Sequence, residues 1–96
     1  MALDTTLLYL VVIAIRHPKR RAQIRRMLRV HGQAIHRDTY EIATTPKGIR
    51  ALETAIALEL TPTDQVRIYP VCARCRTQVR LYGEGELETV PVARFY

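Results

Sequence analysis

Acidic residues are nearly missing from the first third of this 96-residue chain. Asp4 is the only acid in residues 1–37, where eight Lys and Arg are found. Residues 38–96 hold seven basic and eight acidic side chains, so the net charge of +6 originates entirely in the N-terminal third. Such an asymmetry points to a polyanionic partner and argues against a small neutral ligand. The plainer alternative is a solvated helix face that keeps the protein soluble; the density of cations around one strand end favours the polyanion. Cysteine is scarce as well. Cys72 and Cys75 form a single C-x-x-C, half the ligand set of a structural zinc site, and His31 and His36 stand at no ligand spacing. A redox role requires a thioredoxin-like helix start; the simplest reading is two small residues in a tight turn. No apolar run approaches the roughly 20 residues that span a bilayer. The run at residues 7–15 lacks the basic flank and cleavage site of a signal peptide, so a cytoplasmic location is expected. There is no low-complexity segment and no internal repeat. With 48% hydrophobic and 25% charged residues the chain reads as one globular domain, small enough to benefit from dimerisation.

What is present is concentrated in "YLVVIAIRHPKRR", Tyr9 to Arg21. A strand apolar on both faces runs directly into Arg16, His17, Lys19, Arg20 and Arg21. Pro18 suits the first position of a helix. Ile24, Met27, Leu28 and His31 form its apolar stripe, while Arg21, Arg25 and Arg29 form a basic one with Arg26 beside it. Gly32 is expected to end the helix as a left-handed cap. Residues 33–43 read as extended. Thr44 or Thr45 caps a second helix that starts at Pro46 and buries Ile49, Leu52, Ile56 and Leu60. "QVRIYPV" is a third extended run, which Pro70 either ends or places at an edge. "QVRLY", residues 78–82, is expected as a short strand, "GEGE" as a flexible break, and "LETVPVARFY" as an apolar tail that docks on a sheet edge.

This order of elements suggests an α+β sandwich of the ferredoxin type. Three blocks then converge: "LYLVVIAI" with "PKRRAQIRRML", "HGQAIHRDTYEI", and "DQVRIYPVCARC". At these spacings residues 7–82 resemble the small CRISPR-associated endoribonuclease family, the second of the two universal CRISPR adaptation proteins. The resemblance implies a ferredoxin-like βαββαβ domain (residues 1–82) with a kinked middle hairpin at 33–43, and a linker plus extra C-terminal strand (residues 83–96). It further implies a homodimer with facing sheets, whose partner is the CRISPR integrase. In that complex the dimer bridges integrase dimers and holds the double-stranded DNA that becomes a spacer. Some members of the family also cut single-stranded RNA or duplex DNA with magnesium.

One departure matters. The family ends its first strand on an aromatic, an aspartate and a branched aliphatic, and the aspartate is its proposed metal ligand. Here the sequence is Ile13-Ala14-Ile15. A methyl group offers no oxygen to a hard cation, so the resemblance implies no bound metal and no metal-activated water in this chain. Asp38 and His17 are the candidates for residual catalysis. The ordinary expectation for Asp38 is an ion pair with a nearby arginine, and for His17 a phosphate contact; His17 and His36 could act as bases, His17 being the better candidate because it follows the strand end. Arg16, Lys19, Arg20, Arg21 and Arg25 are the expected phosphate-binding residues, since a strand end beside a helix start offers side chains and backbone N–H groups together. In the tail, Val90, Val92, Phe95 and Tyr96 are expected to contact either the dimer partner or the integrase. Two readings result. One is a non-catalytic DNA-binding scaffold. The other is a nuclease, either of this family with Asp38 in the metal role or of the related virulence-associated toxin type.

Overall fold

A computed structural model of the chain describes residues 6–78, 80, 82 and 83. The described chain runs β1 (Leu7–Ala14), α1 (Pro18–His31), β2 (Gly32–His36), β3 (Thr39–Thr44), α2 (Pro46–Ala57), β4 (Gln65–Val71) and α3 (Ala73–Thr77). The strands form one antiparallel sheet in the order β2-β3-β1-β4. Two βαβ halves thus interleave, with β1 inside and β2 and β4 at the edges. This is the expected βαββαβ arrangement, and the middle hairpin is present as β2–β3 with a register shift between Ala34 and His36.

The apolar character of β1 on both sides has two separate causes. Tyr9, Val11, Ile13 and, just beyond the strand, Ile15 join the core with Ile24 and Leu28 of α1, Tyr40 and Ile42 of β3, and Ile49, Leu52 and Ile56 of α2. The intervening residues Leu10, Val12 and Ala14 lie on the opposite sheet face. There the register sets them beside Glu41 and Thr39 of β3 and Tyr69, Arg67 and Gln65 of β4. No helix among the described residues is long and apolar enough to cross a membrane.

Both long helices begin as their sequences dictate. His17 is the N-cap of α1 and accepts the Arg20 backbone N–H on Nδ1, with Pro18 in the first turn. Thr45 caps α2 by accepting the Gly48 N–H at 3.0 Å.

Three expectations are corrected. Gly32 is not a left-handed cap: it is extended (φ −164°) and opens β2, its N–H donating to Leu28 O. His31 is exposed and leaves the apolar stripe, because α1 buries only Ile24 and Leu28. The strand expected at 78–82 is absent where it is described. Gln78 lies in a turn after α3, and Arg80 and Tyr82 are in no strand, while Val79 and Leu81 lie outside the described residues. Local bonds capture this segment: Thr77 Oγ1 donates to Arg74 O at 2.7 Å and Gln78 N to Cys75 O at 3.0 Å. The tail with Val90, Val92, Phe95 and Tyr96, and Asp4, also lie outside the described residues.

Candidate nucleic-acid interface

The C-terminal end of β1 opens into a cleft of about 460 Å³, lined by Ala14, Arg16, Arg21, Asp38, Thr63 and Asp64 among others. β1 and the link after it supply Ala14 and Arg16, α1 supplies Arg21, and the turns before β3 and β4 supply Asp38 and Asp64. Asp38 is placed by the backbone, since its carbonyl accepts the Ile13 N–H at 2.9 Å. Ala14 and Asp38, far apart in sequence, therefore line one cleft.

The five expected phosphate-binding residues divide by their partners. Arg16 and Lys19 are exposed and have no ion pair among the described residues. Arg21 is half-buried and donates to Ile15 O at 3.2 Å, which ties the helix start back to the strand end. Arg25 is bonded to Asp38, through Nη2 at 2.7 Å and Nε at 3.2 Å, both to Oδ1. The expected pairing of Asp38 with a nearby arginine is therefore observed, with Arg25 as the arginine.

Arg20 is held in a bidentate pair with Asp64, Nε to Oδ2 at 2.7 Å and Nη2 to Oδ1 at 3.1 Å. The Asp64 side chain is fully covered. The Thr61 N–H and hydroxyl complete its shell at 3.0 and 3.2 Å. The Arg20 hydrogen bonds, followed by the Thr61 backbone N–H, bring the Asp64 carboxyl down to about 2 from 3.8. A carboxyl depressed on folding stabilises the fold above its unfolded pKa and loses that contribution as the folded group is protonated. Asp64→Asn is thus expected to lower the urea midpoint by a constant amount above about 3.8, and the gap should close as pH falls toward about 2. A gap that stays constant across that window would refute the role given to Asp64. Sequence reasoning missed this residue. "TPTD" reads as a local turn, and its arginine stands 44 positions away.

His17 is exposed and serves α1 as a cap through Nδ1. His36 is exposed at the end of β2, away from the cleft lining. Cys72 and Cys75 are free and exposed, with Cys72 immediately before α3 and Cys75 within it, so the pair spans the start of a short helix rather than a tight turn.

The sheet order, with α1 and α2 packed on one core, defines a ferredoxin-like α+β domain with exposed cations at one strand end. Residues 7–79 match the family model for CRISPR associated protein Cas2. The chain belongs to the Cas2 family. It is 29% identical to CRISPR-associated endoribonuclease Cas2 1 of Chloroflexus aurantiacus over 79 residues, 80% of this chain and 85% of the relative. Among solved structures, a hypothetical protein from Thermus thermophilus (TT1823) superposes with a TM-score of 0.75 at 26% identity, covering 88% of this chain and 99% of that one. A chain of a partial Cas6-RT-Cas1–Cas2 complex gives 0.68 at 24% identity, covering 77% and 88%.

The endoribonuclease family is in general metal-dependent, and a metal in this cleft would need free oxygen ligands. The Ala14 side chain supplies no oxygen. Both Asp64 oxygens are taken by Arg20, and Asp38 Oδ1 by Arg25. No group of three or more His, Cys, Asp or Glu converges among the described residues. These residues do not fit a divalent cation, which needs several oxygen ligands.

Proposed function

We propose that this chain is a dimeric, sequence-independent double-stranded DNA-binding scaffold of the cytoplasmic CRISPR adaptation complex, in which the family's nuclease chemistry has been lost. The observation that carries this reading is the exposed Ala14 at the end of β1, beside acids already engaged by Arg20 and Arg25. Arg16 and Lys19 bind phosphates, with Arg21 and Arg25 behind them; Arg20 holds the helix start in place. A scaffold reads no bases, and phosphate contacts suffice for it. The sheet face opposite the core, with Leu10, Val12 and Tyr69, supports a dimer with facing sheets, which would double the basic patch about a twofold axis. Ala14 in place of an acid removes like charges from such an interface. The family's occurrence in a Cas1–Cas2 assembly supports the integrase as partner, with residues 83–96 as the contact element on it or on the second protomer.

A second reading, an active nuclease of this family or of the toxin type acting on DNA or single-stranded RNA, has one observation in its favour. Asp38 lines the same cleft as Ala14, and both of its bonds from Arg25 fall on Oδ1. Cleavage of labelled single-stranded RNA and duplex DNA in magnesium separates the two. Wild type is expected to retard the duplex without cutting either substrate, and Ala14→Asp to gain cutting. Cutting by wild type that Asp38→Ala abolishes would overturn the scaffold and place the chemistry at Asp38.

A further inference from the structure

We infer that Cys72 and Cys75 form a redox-active dithiol, a site that exchanges with small disulfides and closes into an intramolecular disulfide. The pair lies one residue beyond β4, outside the cleft, and the proposed function makes no use of it. The Cys75 backbone N–H donates to Cys72 Sγ at 3.2 Å, across the three-residue spacing of the C-x-x-C. One turn of chain thus holds both thiols, with the Cys75 backbone against the Cys72 sulfur. Both residues are free and exposed, whereas cysteines conserved for packing alone are buried and inert. The turn that holds them is fixed by the bonds from Gln78 N to Cys75 O and from Thr77 Oγ1 to Arg74 O.

The two thiols are not equivalent. Donors from Cys75, with the Arg74 N–H and charge beside them, push the Cys72 thiol below the ordinary cysteine value. The bond to Cys72 and its charge push Cys75 above it. Cys72 is thus the attacking group and Cys75 the resolving one. In the first step the Cys72 thiolate attacks one sulfur of a small symmetrical disulfide such as oxidised glutathione. That S–S bond breaks, and the departing thiolate takes a proton from water. In the second step Cys75 gives its proton to solvent and attacks Cys72 Sγ, expelling the second small thiol. Two protein thiols are oxidised and one small disulfide is reduced to two thiols.

The test uses the full chain in glutathione buffers of stepped oxidised-to-reduced ratio, quenched with acid, alkylated and weighed intact. Wild type is expected to pass from a doubly alkylated form to one that resists alkylation and is lighter by two hydrogens. Cys75→Ser should accumulate a stable glutathione adduct at Cys72. Cys72→Ser should form its adduct at Cys75 at least about tenfold more slowly. Three results would overturn the inference: a wild type that stays fully alkylatable in the most oxidising buffer, a disulfide that links two chains, or protein that retains zinc on these thiols and resists oxidation. Circular dichroism of the two serine variants guards against misfolding as the cause of a slow adduct.

Discussion

Glutamate at both Arg16 and Lys19 is expected to weaken duplex DNA binding by about a hundredfold to a thousandfold at roughly 0.1 M salt, for every sequence tested. The estimate rests on the doubling of the patch in a dimer. Four cations would leave the path of the duplex, and each phosphate contact contributes about 0.9 to the slope of log affinity against log salt. The slope should therefore become shallower by roughly 3 to 4. Arg16 and Lys19 are the residues to reverse because both are exposed and unpaired among the described residues. Reversing Arg20 instead would set a second carboxylate against the covered Asp64 and disturb fold and binding at once. Lys47→Glu with Arg50→Glu supplies the control. These cations are exposed on α2 and their reversal changes net charge by the same amount. If the control weakens binding as much as the test pair, overall charge and not the strand end governs affinity.

Gly32→Ala is expected to destabilise the fold by about 3 kcal/mol, which lowers the melting temperature of a domain this size by roughly 10–20 °C. A Cβ here would fall inside the envelope of the Glu41 carbonyl oxygen, and within 2.8 Å of Ile42 Cγ1. The obstacle is backbone of the paired strand, which cannot rotate away. Gly48 offers the contrast. The atom its Cβ would meet is the Thr44 hydroxyl, which can turn to another rotamer, and alanine gains helix propensity at that position. Gly48→Ala should be close to neutral in the same thermal melt. Equal melting temperatures for wild type and Gly32→Ala would mean that the hairpin does not approach α1's exit as closely as described.

The two glycines also show what the sequence could and could not convey. Helix starts were legible because their signals are local: Pro18 after a capping residue, and Pro46 after Thr45. β1 and β4 were legible from their apolar periods. Gly32 was misread because a glycine after a helix usually serves a positive φ, whereas here it serves a close approach to Glu41, nine residues on and across a strand pair. The site divides in the same way. That the strand end is basic and carries Ala14 was plain from residue order. That Arg20 differs from Arg16 was not, because the difference lies in Asp64, and a long-range ion pair leaves no spacing to read. The segment at 78–82 failed for a third reason. Its alternation of apolar and polar residues fits a strand, but α3 and the turn after it use hydroxyl and backbone bonds that periodicity does not register.

The position of β1 has a consequence for the order of events during synthesis. The strand made first is the one enclosed last. β3 can cover one of its edges once residue 44 has emerged, but the other edge waits for β4, with Leu8 opposite Val71. Until then the nascent chain carries an apolar strand with an open edge, the kind of surface that recruits foreign strands. Its guard during that interval is the basic run that follows it, whose mutual repulsion keeps neighbouring nascent chains apart.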